Sequence, residues 1–571
     1  MCGIAGVSLK KENLTFQKKF SKVFNYLKHR GPDGKGTYKK KNVELIHTRL
    51  SIVDLDGGAQ PIINDGVVLI ANGEIYNDLN LRKKISKYKY KTNSDSESII
   101  AVYKEDGIEG FKRLRGMYSF SLFDQKKGIT FIGRDVFGIK PLYFSIFEEG
   151  IIYSSEMQSI QRLNIQNNDL SQFKLREYFQ LQYCSGKKTI YNNIQRVRPG
   201  ETIVIEDGKI IRSQLERLPT RKKNKKINDE YIFDKIKESV SVHLRSDVPY
   251  CLFYSGGIDS TLIMYFMKEL NLNKEICAYN VNIDNTSCNE AKITDEISKS
   301  FNIELNQISF SENDFWNTLP FAAKHIDEPV ADYAIIPTFK MAGIASKKFK
   351  VALTGEGGDE LFGGYGRYKK MKSFYKGAFR KLDFLDQKDW DFDIKFFENQ
   401  ISDLSKLQKY QFFDYINWLP NNLLVKLDRC LMAYGMEGRT PLIDKEIFEN
   451  FFYIDDSFKQ KNGYGKFLIR QFLNKRVTNY NSFSKKKGFT VPIKKWIPKK
   501  AKYLQKILPK MEILRYFFKE DDIFSLCKDV INNDMLVRPL WHMIFISVWY
   551  AINIKKVKTK GDFFDVISSS I

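Results

Sequence analysis

Tyr254-Ser-Gly-Gly-Ile-Asp-Ser260 is the stretch that decides the architecture of this 571-residue chain. The apolar run Pro249–Tyr254 enters it as a short strand, and Thr261–Leu270 leaves it as a helix. Leu262, Ile263, Phe266, Met267 and Leu270 fall on one stripe of that helix, as a core-facing helix requires. Two glycines between strand and helix permit positive φ and close backbone approach. Successive N–H groups and the helix N-terminus then form a nest for an anion. The loop carries no GxxxxGK[ST] lysine, which separates it from a Walker loop. A plain glycine turn between strand and helix is the alternative reading.

Working outward, strand and helix keep alternating. Tyr231–Arg245 and Glu290–Phe301 read as helices, Ile276–Val281 and Phe349–Thr354 as strands. That order predicts a parallel sheet covered on both faces. A second glycine turn, Thr354-Gly-Glu-Gly-Gly-Asp-Glu-Leu-Phe-Gly-Gly364, follows its own strand. Loops at the C-terminal ends of parallel strands share one crevice, where Asp259, Glu356 and Asp359 can meet. Carboxylates beside a triphosphate suit Mg2+, which prefers oxygen ligands, and a solvated acidic turn is the alternative. With both loops in place, the first resembles the PP-loop of ATP pyrophosphatases that release AMP. From about Tyr365 the chain is helical and aromatic-rich, and Tyr365–Asn417 is expected as a packing layer rather than a contact surface.

The other end of the chain reads differently. Met1-Cys-Gly-Ile-Ala-Gly6 exposes Cys2 as the N-terminus once Met1 is removed. An α-amine with a pKa of about 7.7–8.0 then sits beside a thiol, a nucleophile with its own base. A small apolar residue opening a first strand is the alternative. Strands are expected at Cys2–Leu9, Val43–His47, Val67–Asn72, Ser119–Phe123, Ile129–Arg134 and Tyr143–Ile146. Helices are expected at Thr15–His29, Asp78–Lys84 and Ser96–Glu105, which makes this region layered α+β. The charged stretch Ser213–Glu230, with Pro219, reads as a linker. It divides a domain over 2–212 from one over 231–571.

Composition narrows the class. The 43% hydrophobic content supplies large cores, and no run of eighteen apolar residues predicts a membrane span. Leu540–Ile554, interrupted by His542 and Asn553, reads as a buried helix. No basic region followed by an apolar core opens the chain, so no signal peptide is expected. Seven scattered cysteines without a CxxC pair fit a reducing cytoplasm. The net charge of +24 raises nucleic-acid or membrane-surface binding. Much of the excess lies in solvated-looking lysine runs such as Arg221–Lys226 and Lys485–Lys487, so neither partner is expected.

Further motifs complete the pattern: His29-Arg-Gly-Pro-Asp33, His47-Thr-Arg-Leu-Ser-Ile-Val53, Ala71-Asn-Gly-Glu-Ile-Tyr-Asn77, Ser94-Asp-Ser-Glu97 and Gly133-Arg-Asp135. Beyond the linker come Asp327-Glu-Pro-Val330, Lys426-Leu-Asp-Arg429 and Gly438-Arg-Thr-Pro-Leu-Ile-Asp444. With these, the chain resembles the glutamine-hydrolysing asparagine synthetases of the bacterial B type over nearly its whole length.

The resemblance implies an N-terminal nucleophile hydrolase domain, layered α/β/β/α, followed by an α/β PP-loop ATP pyrophosphatase domain with a parallel sheet. It implies that Cys2 attacks the glutamine amide, with Asn72 and Gly73 as the oxyanion hole. Arg49 would hold the glutamine carboxylate within the segment Leu50, Ser51, Ile52 and Val53, and Asp95 with Glu74 its ammonium. Ser255, Gly256, Gly257, Asp259 and Ser260 would bind ATP phosphates, with Thr354 and Gly355 opposite and Phe253 and Val281 beside the adenine. Asp259 and Asp359 would meet Mg2+, Lys466 would neutralise phosphate charge, and Glu356 would assist acyl-adenylate formation and ammonia attack. Aspartate is the first acceptor to consider, and a homodimer the candidate assembly. The segment Asp327-Glu-Pro-Val-Ala-Asp-Tyr-Ala-Ile-Ile-Pro337 is similar to the branch that includes amidotransferases of sugar uronic acids, which keeps that acceptor class open. A catalytically silent binding protein and an RNA-modifying PP-loop enzyme are the more distant alternatives.

Overall fold

The computed structural model describes residues 1–219, 229–271, 275–283, 288–370, 401–478, 480–484 and 491–571. Two six-stranded sheets build the N-terminal region. The first runs in the order Gln195–Arg196, Tyr143–Phe147, Gly150–Ser154, Cys2–Leu9, Val43–Arg49, Gly34–Lys40. The second runs Lys209–Leu215, Glu201–Glu206, Ile129–Arg134, Gly116–Asp124, Val67–Ile75, Ile62–Asn64. Their paired neighbours are antiparallel. Alternation sets the layers. Ile4 faces the second sheet, packing with Val68, Ile70 and Ile132, while Ala5, Val7 and Leu9 lie in the core with Phe16, Phe20 and Leu27 of the covering helices. Helix Glu97–Asp106 covers the far side, with Ile99 and Val102 in one core with Leu69 and Phe120. The result is α/β/β/α, as expected.

The C-terminal region holds five parallel strands in the order Ile303–Phe310, Ile276–Ile283, Tyr250–Phe253, Val351–Leu353, Glu437–Arg439. Helix Val537–Asn553 is buried. The segment Asp534–Asn553 is long and apolar enough to cross a membrane, but 83% of its apolar window is packed inside the protein. Trp541 and Trp549 donate their indole N–H groups to the carbonyls of Ala331 and Ile326, both at 2.8 Å. This helix therefore belongs to the core.

Several expectations change. The single helix expected over Thr15–His29 is broken into Leu14–Phe20, Val23–Leu27 and a 3-10 turn at Lys28–Arg30. Strand Lys209–Leu215 pairs with Glu201–Glu206, so Ser213–Leu215 belong to the sheet rather than to the expected linker. The basic runs Arg221–Lys226 and Lys485–Lys487 lie outside the described residues.

Buried ion pairs stitch the two regions together. Arg30 reaches Asp428 with two hydrogen bonds of 2.8 and 3.0 Å, and Glu156 at 3.0 Å. Arg429 pairs with Asp327, which also accepts the Met157 N–H at 2.6 Å. Arg115 bridges to the buried Asp444 at 2.9 Å. Removing one partner of such a pair leaves a buried charge uncompensated, at about 3–5 kcal/mol.

Candidate active sites

Cys2 opens its strand directly opposite Arg49. Its backbone N–H donates to Asn72 Oδ1 at 2.9 Å, and its carbonyl accepts from Arg30 Nε at 3.2 Å. Asn72 is fully buried, and among the described residues its Nδ2 has no hydrogen-bond partner. The Oδ1 contact fixes the amide beside Cys2 and leaves Nδ2 as a donor without a partner among the described residues, the kind of group that a developing oxyanion requires. Gly73 has φ +145°, and a Cβ there would run into the Met117 carbonyl. Burial pushes the Cys2 thiol up, opposed by the nearby terminal ammonium and the Leu50 N–H. His47 is a core residue: burial pushes it down to about 3, so it is neutral.

Arg49 is half-buried and donates to the carbonyls of Leu55 at 2.9 Å and Asp54 at 2.6 Å. It thereby curls the segment after it. Leu50 and Ile52 are buried, Ser51 and Val53 half-buried, and the Ser51 N–H donates to Asp33 at 2.8 Å. Asp95 accepts from the Ile75 N–H at 2.5 Å, and burial pushes it up to about 6. Burial and then Asp95 raise Glu74, which has Arg439 at 3.3 Å. Burial holds both carboxylates up, so a cation arriving beside them would favour their charged forms.

Sequence reasoning did not single out Glu437 here. It is fully buried, 2.9 Å from the Met1 ammonium and 2.5 Å from Arg439. Against the upward push of burial, that ammonium, Arg439 and Lys140 hold Glu437 down at about 2. Only the motif Gly438–Asp444, one residue on, hinted at this neighbourhood.

The second site lies at the sheet's C-terminal edge. Helix Ile258–Leu270 starts with Gly257 as its cap, and Gly256 has φ +71°. Ser255 and Ser260 hydroxyls lie 3.1 Å apart, and Ser255 Oγ accepts the Gly257 N–H at 3.3 Å. The two glycine turns pack tightly. A Cβ on Gly355 would lie 3.0 Å from Asp259 Cβ and from Ser260 N, and one on Gly358 would collide with the Asp259 carboxylate. Lys466, almost fully buried, reaches Asp259 at 2.5 Å and Asp359 at 2.6 Å.

A cavity of about 500 Å³ opens over these loops. Phe253, Val281, Thr354 and Gly355 line it together with Ser255, Ser260, Asp259, Asp359 and Glu356. Tyr365 and Arg367 also reach it, so this part of Tyr365–Asn417 is contact surface, contrary to the packing layer expected. Lys426, missed as a site residue, lies 3.2 Å from both Glu356 and Asp332. Among the described residues no group of three or more His, Cys, Asp or Glu could enclose a metal ion. The cradle, with glycines at 256, 257 and 355 and edged by two carboxylates, instead fits a triphosphate that brings its own Mg2+.

Comparison with known proteins gives the family. A family model described as asparagine synthase matches residues 232–551, and one described as a glutamine amidotransferase domain matches residues 1–216. Asparagine synthetase [glutamine-hydrolyzing] 1 of Bacillus subtilis is 30% identical, with 97% of both chains covered. A putative asparagine synthetase of Mycobacterium bovis is 27% identical over 84% of both. Asparagine synthetase B of Escherichia coli K12 is 28% identical over 79% of this chain and 74% of its own. The chain belongs to the asparagine synthase family, the glutamine-hydrolysing carbon–nitrogen ligases with an N-terminal amidotransferase domain.

Proposed function

We propose that the protein makes asparagine from aspartate, glutamine and ATP, releasing glutamate, AMP and pyrophosphate. Residues 2–215 hydrolyse glutamine and residues 229–571 activate the acceptor. Once Met1 is removed, the Cys2 amine takes the thiol proton and the thiolate attacks the glutamine amide. Asn72 Nδ2 and the Gly73 N–H take the charge that develops on oxygen. Ammonia leaves with that proton, and water releases glutamate from the thioester. Arg49 holds the substrate carboxylate, and Asp95 with Glu74 its ammonium.

In the second site the aspartate side-chain carboxylate attacks the α-phosphorus of ATP, and pyrophosphate departs. Ser255, Gly256, Gly257 and Ser260 cradle the phosphates. Lys466 offers its charge to them while keeping Asp259 and Asp359 in place. Asp259 and Asp359 are the residues that would hold Mg2+ arriving with ATP, which would supply further neutralisation. Ammonia then attacks the acyl carbon, Glu356 accepts a proton, and AMP leaves.

The observation that carries this reading is a single strand, Glu437–Arg439, that touches both centres. Arg439 lies 3.3 Å from Glu74 of the glutamine site, while its carbonyl accepts the N–H of Thr354 at 2.9 Å. Transfer of ammonia within the protein along this strand would keep it neutral and reactive. The direct test is the nucleotide product of an incubation with glutamine, Mg-ATP and aspartate. AMP with pyrophosphate is expected, and ADP with phosphate would rule out the adenylate.

Glutamine affinity has a defined pH dependence. As pH falls through about 6, Asp95 takes up a proton in the free protein and no longer offers a charge to the ligand ammonium. Calorimetric titration of a Cys2→Ala protein should show the Kd for glutamine flat above pH 7 and about tenfold higher at pH 5. A Kd constant over that range would remove Asp95 from the site.

A further inference from the structure

Beyond the nucleotide loops, the cavity continues to a wall formed by Asp332, Tyr333, Lys426 and Arg538. Asp332 lies in the segment Asp327–Pro337, for which the reaction above gives no role. Its carboxylate is held in place by the Ala334 N–H at 2.9 Å and by Lys426 at 3.2 Å. Lys426 divides its one charge between Asp332 and Glu356. Arg367, another cation of this cavity, is matched by Asp414 at 2.6 Å. Arg538 differs from both. It adjoins the Tyr333 side chain at the cavity, and among the described residues no carboxylate pairs with it. The wall thus offers a carboxylate that shares its lysine with Glu356 on one element, and on another a guanidinium that meets the Tyr333 hydroxyl but, among the described residues, no carboxylate. Such a surface complements a zwitterion.

Two of the cavity's aromatic rings that could stack on a pyranose, Tyr365 and Trp418, are already in use. Arg367 lies over Tyr365 at 3.9 Å and over Trp418 at 5.1 Å. Trp418 also receives Tyr183 edge-on at 5.7 Å. A uronic acid would bring one carboxylate and no ammonium, leaving Asp332 as it was.

We propose that Arg538 and Asp332 form an acceptor clamp, Arg538 binding the α-carboxylate and Asp332 the α-ammonium of an amino acid whose side-chain carboxylate points toward Ser255 and Glu356. This clamp rests on the asparagine-forming reading and names what makes the acceptor an α-amino acid. Arg538 is exposed and carries no ion pair among the described residues, so its replacement leaves the fold intact.

The test is steady-state pyrophosphate release by purified wild type, Arg538→Gln and Arg538→Lys. β-Alanine, which is aspartate without its α-carboxylate, serves as a competitive inhibitor. Loss of a charge-assisted hydrogen bond to a carboxylate should raise the KM for aspartate about thirtyfold in Arg538→Gln. Arg538→Lys should recover part of this. The kcat, the KM for ATP and the glutaminase rate should stay at wild-type values. Inhibition by β-alanine should be equal in wild type and Arg538→Gln, because that ligand lacks the group Arg538 holds. An unchanged aspartate KM overturns the clamp, as does equal weakening of aspartate and β-alanine. In both cases wild-type asparagine formation leaves the parent reading standing. A wild type that releases no pyrophosphate with aspartate overturns both.

Discussion

Cys2→Ala is expected to abolish glutamine-dependent synthesis, lowering it by at least about a thousandfold, while synthesis from ammonium salts continues at the wild-type rate. Without the thiolate no thioester forms, and Asn72 has no oxyanion to stabilise. The substitution removes one sulfur atom from a buried strand end, and the strand's partners remain. The Arg30 contact is to the Cys2 carbonyl and the Asn72 contact is to its N–H, so both survive in alanine. The acceptor site is built from residues more than two hundred positions away and is untouched. Measuring asparagine formation from glutamine and from ammonium chloride in parallel checks this. Loss of both activities would contradict separate sites.

The second large effect is expected at Asp259. Lys466 is almost fully buried and lies between Asp259 and Asp359 at 2.5 and 2.6 Å. Asp259→Asn removes one of the two charges that hold this ammonium under the glycine loops, along with a carboxylate facing the triphosphate. ATP-dependent synthesis should fall by about 100- to 1000-fold, with either nitrogen source, the scale of losing one preorganised electrostatic contact in a water-poor site. Glutaminase activity should persist, since Cys2 and its partners lie on other elements. Release of pyrophosphate and release of glutamate, measured on the same samples, separate the two. Unaltered synthesis would refute the role given to Asp259.

What the sequence made legible follows the range of the interactions. Strand Cys2–Leu9 and the alternation around Tyr254–Ser260 were readable because apolar periodicity and paired glycines are local signals. Glu437–Arg439 escaped notice because three residues carry no period, although that strand closes the sheet and touches both centres. The break after Phe20 also had no sign, since Ser21 and Lys22 keep helical backbone angles and neither Gly nor Pro marks the spot. The same division holds for the site. Cys2, Asn72 and the glycine turns announce themselves by residue type and order. Lys426, Glu437 and Arg538 matter through partners distant in the chain, and a solvent-exposed lysine or arginine has the same letters. Tyr365 and Arg367 were taken for packing because aromatic and cationic residues also fill layers, and only the cavity distinguishes the two uses.

The acceptor decides whether this chain makes asparagine. Purified protein, glutamine and Mg-ATP should be incubated with aspartate and, in parallel, with glucuronic and galacturonic acids, scoring pyrophosphate, glutamate and amide product. Aspartate is expected to give pyrophosphate, glutamate and asparagine in equal amounts, with the uronic acids at background. Pyrophosphate release with a uronic acid and none with aspartate would contradict asparagine synthesis by this chain.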